Sequence, residues 1–234
     1  MQHAPSFADR AIDYYLNQVA ADVYTPPGLP ADVSVLNPYQ SPAVQGVVTT
    51  FYRRFFADNA PRVYVLGINP GRYGAGVTGI SFTTSQALEQ HCGIGNSLPP
   101  TPELSSRFIY RIVDALGGAA AFYGRFFLTS LYPLALVRTG KNYNFYDDRQ
   151  TTETLWPVIT ESVRRQLAFG ADRRVAVCLG RRNEGYLQRL NREQGFFDRI
   201  VTLDHPRYIL QYRSRYADAY AETYIRTLAD TLDS

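Results

Sequence analysis

The chain has 234 residues, of which 45% are hydrophobic and 19% are charged, and its net charge is +3. These values are typical of a soluble globular protein with one core, and we expect a single domain over residues 1–234. The composition excludes a membrane protein, because no apolar run approaches the roughly 18 to 20 residues that a membrane helix needs. The segment MQHAPSFADR does not show the basic and then apolar pattern of a secretion signal, so we expect no export. The two cysteines, Cys92 and Cys178, show no disulfide or metal spacing.

The sequence predicts helices and strands in alternation. The first predicted helix runs from Ser6 to about Ala21 and opens with a Ser6–Asp9 capping box. A Pro-rich surface connection over 25–40 follows, and then a helix from Ser41 to about Asp58. The first predicted strand covers Val63 to Ile68, and an irregular segment continues to Pro100. The next predicted elements are a helix from Pro102 to Leu116 and a strand over Phe126 to Leu131. A helix near Thr152 to Phe169 follows, with Trp156 and Pro157 in its first turns, and then a strand over Val175 to Leu179. The last three elements are a helix from Gly180 to about Glu193, a strand over Arg199 to Leu203, and a helix from about Ser214 to Asp233.

This alternation indicates a parallel sheet, because strand–helix–strand units pack helices on both faces of a sheet. We therefore predict an α/β fold, in which a short, mainly parallel central sheet forms the middle layer of a three-layer α/β/α sandwich. The N-terminal helices over 1–58 are expected to pack on an α/β core formed by 60–234.

Polar residues stand at the ends of three predicted strands. Asn69 follows the first strand at the start of a Gly-rich turn, Ser130 lies in the second, and His205 follows the fourth. The carboxyl ends of parallel strands share one edge, so these side chains are expected to converge on one pocket. There Asn69 can orient a water or hold a base edge, and His205 can donate to a leaving group. The alternative is structural: Asn69 as a turn cap and His205 bonded to backbone.

The segment GINPGRYGAGVTGISF resembles the first motif of the single-strand-selective monofunctional uracil-DNA glycosylase family. The matching positions are Gly67, Asn69, Pro70, Gly71, Gly74, Thr78, Gly79 and Phe82. Three later segments are similar to family segments in the same order: TSLYPL, LGRRNEGYLQRL and His205-Pro206. The resemblance covers about residues 60–230 and implies a uracil-DNA glycosylase-like fold.

The resemblance implies a repair enzyme that flips a damaged nucleotide out of DNA and hydrolyses its N-glycosidic bond, leaving an abasic site. Asn69 would position the attacking water, and His205 would stabilise the departing base. Phe82 would stack on that base. The substrate-binding residues that the resemblance implies are Gly67, Ile68, Gly71, Tyr73, Phe82 and Ser130.

The chain departs from the family at two places. Ser130 replaces the asparagine that reads the pyrimidine, and a shorter hydroxyl predicts looser discrimination that admits hypoxanthine or xanthine beside uracil. After His205 the sequence HPRYILQYRSR differs as well. We expect Tyr208, Ile209 and Leu210 to form an apolar wedge for the duplex, with Arg207, Arg213 and Arg215 on phosphates. The alternative is the start of a helix, with Tyr208 and Leu210 in the core.

No cofactor or metal is predicted. Related glycosylases with an iron–sulfur cluster need four cysteines, and His91-Cys92 lacks the remaining ligands of a zinc site. The only lysine, Lys141, is expected in a polar loop away from the motifs, so the amine that a lyase step requires is missing and the enzyme would be monofunctional. Asp147-Asp148 is interpreted as a solvated turn or a helix cap.

DNA, single- or double-stranded, is the expected partner. Since Lys141 is the only lysine, 23 of the 24 basic residues are arginine (24 − 1), and 18 Tyr and 13 Phe accompany them. Arginine and aromatic rings bind phosphates and bases, although a genome-wide preference for arginine explains the same counts. The expected setting is a monomer in a bacterial cytoplasm, near the nucleoid. Two alternatives stay open: a non-catalytic nucleotide- or DNA-binding α/β module, and a degenerate relative that binds DNA without excising a base.

Overall fold

The computed structural model describes residues 4–21 and 24–233. Its strands are β1 (Val33–Leu36), β2 (Arg62–Gly67), β3 (Phe126–Ser130), β4 (Ala135–Arg138), β5 (Lys141–Tyr143), β6 (Ala171–Leu179) and β7 (Arg199–Leu203). Its α-helices are α1 (Phe7–Asp13), α2 (Pro42–Phe55), α3 (Ala75–Thr78), α4 (Ser85–Gln90), α5 (Leu104–Ala115), α6 (Gly118–Tyr123), α7 (Arg149–Leu167), α8 (Arg181–Gln194), α9 (Pro206–Tyr212) and α10 (Ala217–Asp230). A π-helical turn covers Tyr14–Val19, and 3₁₀ turns cover Pro38–Gln40 and Ser214–Tyr216. Within the described ranges, no helix is long and apolar enough to cross a membrane.

A parallel sheet in the order β3-β2-β6-β7 forms the centre of the molecule. Every residue of β2 and β3 is buried, which requires cover on both faces, and helices flank the sheet. The predicted α/β architecture is confirmed. Because all four strands run the same way, their carboxyl ends lie along one edge.

A second, antiparallel sheet in the order β1-β4-β5 was not predicted. The Pro-rich segment 25–40 contains β1, so the expected plain surface connection is wrong there. These strands have only three or four residues each, and β1 is held by pairing with β4, far along the chain. Such pairing leaves little trace in local sequence.

Several helix boundaries depend on capping side chains. The predicted capping box is present, with Ser6 Oγ accepting from the Asp9 N–H at 3.2 Å and Asp9 Oδ2 accepting from the Ser6 N–H at 2.9 Å. Asp148 caps α7 by accepting from the Thr151 N–H at 2.8 Å. Since α7 begins at Arg149, Pro157 lies in the helix interior, and its expected place in the first turns is wrong. The segment predicted to be irregular up to Pro100 contains the short helices α3 and α4.

Arg62 is a fully buried arginine at the start of β2. Its guanidinium pairs with the Asp58 carboxylate at 2.5 Å and donates to the Tyr123 carbonyl at 3.1 Å. It also lies over two aromatic rings, 5.7 Å from the centre of Phe7 and 5.6 Å from that of Phe56. This cluster connects α1 and the end of α2 to the first strand of the central sheet.

Arg62→Ala is expected to lower the free energy of unfolding by about 3 kcal/mol, because it leaves a cavity and unpaired carbonyl groups. Urea denaturation followed by circular dichroism measures this change. The matched control is Arg192→Ala on the exposed surface of α8, with an expected change within about 0.5 kcal/mol. Equal effects of the two substitutions would contradict the structural role of Arg62.

Candidate active site

A cavity of about 1100 Å³ opens at the carboxyl edge of the parallel sheet. Asn69 lies just after β2, Ser130 ends β3, and His205 precedes α9; all three line this cavity, as the parallel topology requires. The register of the sheet pairs Gly67 with Ser130, which brings the first two strand ends side by side. Predicted site residues that line the cavity are Ile68, Asn69, Gly71, Tyr73, Phe82, Ser130, His205, Arg207 and Tyr208.

The Asn69 carboxamide is held from across the cavity wall. Its Nδ2 donates to the carbonyl oxygens of Tyr143 at 3.1 Å and Pro70 at 3.2 Å. Its Oδ1 accepts from the Phe145 N–H at 3.2 Å. These contacts fix which end of the amide is oxygen, and they leave Oδ1 one further lone pair. The backbone contacts of Asn69 thus orient an acceptor toward which a water could donate.

Phe82 and Gly67 depend on each other. A Cβ on Gly67 would lie 2.7 Å from Phe82 Cζ, so the ring occupies the space that a side chain at position 67 would need. Phe82 has φ 57°, a left-handed backbone conformation that is rare outside glycine. Its ring centre lies 6.0 Å from that of His205. Gly67 is not part of the cavity lining, and its lack of a side chain leaves the space that the Phe82 ring occupies.

His205 is a neutral hydrogen-bond donor. Its Nδ1 accepts from the Arg207 N–H at 3.2 Å as the cap of α9. Burial, aided by the nearby Arg207 charge, lowers the pKa of His205 to about 4. At neutral pH the ring therefore carries its single proton on Nε2.

The segment after His205 forms α9, and its packing corrects the expected wedge at Ile209. Ile209 is fully buried and Leu210 packs against the core, whereas Tyr208 is 38% exposed. Helical periodicity separates these neighbouring residues onto different faces. Tyr212 was not predicted as a site residue, but it lines the cavity and is 65% exposed. Its spacing of four residues from Tyr208 would have indicated that both rings share one face of the helix.

The two remaining predicted phosphate contacts, Arg213 and Arg215, lie outside the cavity lining on the exposed surface. Arg213 donates to the Tyr208 hydroxyl at 3.0 Å, and the Arg215 guanidinium lies 4.6 Å from the centre of the Tyr216 ring. Together with Arg207 they place positive charge beside exposed aromatic rings.

Two further residues of the cavity were not expected there. Lys141 begins β5 and lines the cavity, so its expected place in a loop away from the motifs is wrong. The β4–β5 hairpin folds back onto the Gly-rich turn, where Asn142 Oδ1 accepts from the Arg72 N–H at 2.9 Å.

Glu103, just before α5, is the second unexpected residue of the cavity. Burial raises the pKa of its carboxyl to about 7, whereas the Arg207 charge has the opposite effect. Across residues 4–21 and 24–233, no group of three or more His, Cys, Asp or Glu residues could hold a metal ion.

The family model of the uracil DNA glycosylase superfamily matches residues 54–229. The chain belongs to the uracil-DNA glycosylase superfamily. The matched range contains all four strands of the parallel sheet and the residues around the cavity. As a member of this superfamily, the chain has a uracil-DNA glycosylase-type function. It is a hydrolase of DNA repair, and its substrate is DNA.

Among solved structures, this superfamily member is similar to the crystal structure of wild-type SMUG2 from Pedobacter heparinus. The two share 36% sequence identity with a TM-score of 0.92, over 99% of this chain and 100% of the other. A search of curated proteins returns no match. The predicted resemblance and the predicted fold are therefore confirmed.

Gly67→Ala is expected to destabilise the protein by about 1 to 3 kcal/mol, because the new methyl group would overlap the Phe82 ring. In a Phe82→Ala background the same substitution is expected to cost less than about 0.5 kcal/mol, since the overlapping atoms are gone. Urea denaturation of the four proteins measures the coupling. Gly46→Ala is the control, because nothing lies within 4 Å of its Cβ position in α2, and we expect it to stabilise by up to about 1 kcal/mol. Equal costs of Gly67→Ala in both backgrounds would refute the coupling.

Proposed function

We propose that the protein excises uracil, and with it the deaminated purines hypoxanthine and xanthine, from DNA by hydrolysing the N-glycosidic bond. The observation that carries the proposal is the convergence of an oriented amide, an aromatic ring and a neutral imidazole donor on one cavity. These groups come from Asn69, Phe82 and His205. All belong to one chain, so the proposed reaction needs no second copy.

The reaction begins with a nucleotide rotated out of the DNA, because the glycosidic bond is inaccessible inside the stack. The flipped base stacks on Phe82. As the bond from the sugar C1′ to the base breaks, its electron pair goes to the base, and positive charge develops on the sugar. Nε2–H of His205 donates to the base carbonyl oxygen and stabilises the negative charge there. A neutral donor suffices for this task, which agrees with the lowered pKa of His205.

Asn69 completes the hydrolysis. Its Oδ1 accepts a hydrogen bond from a water, whose oxygen adds to C1′ while one proton passes to solvent. The hydrogen bonds that Asn69 donates to the Tyr143 carbonyl and accepts from the Phe145 N–H hold that acceptor in place before the substrate arrives. Such prior orientation is what makes a single water effective.

Ser130 is proposed to set the choice of base. A hydroxyl rotates freely and can either donate or accept, whereas a carboxamide presents one fixed donor and one fixed acceptor. Ser130 therefore accommodates the edge of uracil and also those of hypoxanthine and xanthine. The discrimination among deaminated bases is correspondingly loose.

The DNA strand is proposed to lie across the face formed by α9 and the residues that follow it. Arg207, Arg213 and Arg215 contact phosphates, and the exposed rings of Tyr208 and Tyr212 contact neighbouring bases. Arginines that neutralise phosphates release counterions from the DNA, and this release becomes less favourable at higher salt, so binding should weaken as the salt concentration rises. Ile209 and Leu210 support this helix from the core side.

The proposed activity is monofunctional. A lyase step needs an amine that forms a Schiff base with the sugar. Lys141 lines the cavity, but its side chain is exposed at the start of β5, on the hairpin beside the Gly-rich turn and not at the carboxyl edge of the parallel sheet. Borohydride should accordingly trap no covalent complex between the protein and a uracil-containing oligonucleotide.

Purified protein is expected to convert oligonucleotides with one uracil into alkali-labile products in the presence of EDTA. Asn69→Ala and His205→Ala should each slow excision by roughly 10²-fold or more, because each removes a group that acts on the transition state. Single-turnover rates on single- and double-stranded oligonucleotides measure these effects. Glu222→Gln, on the exposed surface of α10 and outside the cavity lining, serves as the control. No strand breaks at enzyme excess would defeat the enzymatic proposal, and full activity of either variant would remove that residue from the mechanism.

Ser130→Asn is expected to restrict excision to uracil, since a carboxamide fixes the donor and acceptor pattern that the hydroxyl leaves open. We expect the ratio of hypoxanthine to uracil excision rates to fall at least about tenfold, the order of a lost hydrogen-bond match. Matched oligonucleotides that differ only in the lesion provide the measurement. The prediction is wrong if the wild-type protein strictly prefers uracil and Ser130→Asn leaves this preference unchanged.

A further inference from the structure

Glu103 holds a carboxyl group that the proposed uracil reaction does not use. The residue occupies the cap position before α5, yet its side chain makes no capping hydrogen bond there, unlike Asp148 before α7. Its Oε2 is buried and has no hydrogen-bond partner. A buried polar atom left without a partner is costly, so it needs an explanation other than helix capping.

The carboxyl lies against the Gly-rich turn that follows Asn69. A Cβ on Gly74 would overlap the carboxyl group, and a Cβ on Gly71 would lie 3.4 Å from Glu103 Oε1. Glycine at position 74 is what allows the carboxyl group to lie there. Glu103 and Gly71 both line the cavity, so the carboxyl lies against a turn that forms part of the cavity wall.

The edges of a bound base indicate what this wall would contact. In the proposed reaction, His205 meets the carbonyl next to the glycosidic bond, and Ser130 meets the edge that pairs in DNA. Phe82 covers one face. The edge that remains is C5–C6 in uracil and N7–C8 in a purine, and in the proposed pose it faces the Gly-rich turn, whose residues Gly71 and Tyr73 line the cavity together with Glu103. That edge carries no basic atom in uracil, whereas N7 of hypoxanthine or xanthine accepts a proton.

We propose that Glu103 is the general acid for purine lesions and protonates N7 as the glycosidic bond breaks. This inference rests on the proposed base excision. The proton moves from the carboxyl to N7, the bond from C1′ to N9 breaks, and its electron pair stays with the base, which leaves neutral. Water then adds to C1′ and releases a proton to solvent, from which the Glu103 carboxylate is protonated again. Uracil offers no atom for this step and leaves as an anion stabilised by His205.

The surroundings of Glu103 favour the acid form that this role requires. Arg72 and Tyr73 on the turn, and His205 and Arg207 at the start of α9, line the cavity with it. Of these, Arg207 favours the carboxylate, and burial outweighs that effect, so the pKa rises from its ordinary value to about 7. A general acid with a pKa near the working pH is half protonated there and still a strong enough acid to give up its proton.

Glu103→Gln tests the proposal, because glutamine keeps the size of the side chain but has no proton to transfer. We expect excision of hypoxanthine and xanthine to fall roughly 10²-fold or more while uracil excision stays within about threefold of wild type. In the wild type, purine excision should fall about tenfold for each pH unit above 7, and uracil excision should not share this loss. The control is Glu222→Gln, on the exposed surface of α10.

A substrate analogue makes the test independent of how the variant folds. An oligonucleotide with 7-deazahypoxanthine lacks the N7 acceptor, so the wild-type protein should not excise it although it excises hypoxanthine. Excision of the analogue at a comparable rate, or equal losses for uracil and purines in Glu103→Gln, would overturn the proposal. So would a wild-type protein that removes uracil but neither purine. Failure to remove uracil would instead refute the proposed function itself.

Discussion

The hydrogen bonds of the Asn69 carboxamide with the backbone at Tyr143 and Phe145 are the interaction on which the rest of the site depends. They tie the end of β2 to the segment after β5, and thereby connect the parallel sheet to the small antiparallel one. The hairpin in turn binds the Gly-rich turn through Asn142. One wall of the cavity is thus fixed at both ends, which orients Asn69 before any substrate binds.

Burial shifts the pKa values of two titratable groups of this cavity, His205 and Glu103, in opposite directions, and both shifts favour the neutral form. It lowers the pKa of His205 and raises that of Glu103, since removal from water disfavours the charged form of each. Arg207 lowers the pKa of both groups, and so supports a neutral imidazole while it opposes a neutral carboxyl. A pocket that holds neutral donors suits a reaction in which negative charge appears only as the base departs.

The sequence predicted what local patterns determine. The strands β2 and β3 are short, mostly apolar runs, and the rule that parallel strands end at one edge was enough to bring Asn69, Ser130 and His205 together. It did not predict β1, because that strand depends on pairing with distant β4. Glu103 and Lys141 reach the cavity through tertiary packing alone, so no motif indicated them. Ile209 was misplaced for a different reason: a helical period was available, and the segment was interpreted as a wedge instead.

The most direct test of the account is a crystal structure of the slow variant Asn69→Ala bound to an oligonucleotide with one uracil. We expect a flipped uracil with its face on the Phe82 ring, its pairing edge within hydrogen-bond distance of Ser130 Oγ, and its carbonyl at His205 Nε2. A uracil that remains stacked in the DNA, or one that binds away from Phe82, would contradict it.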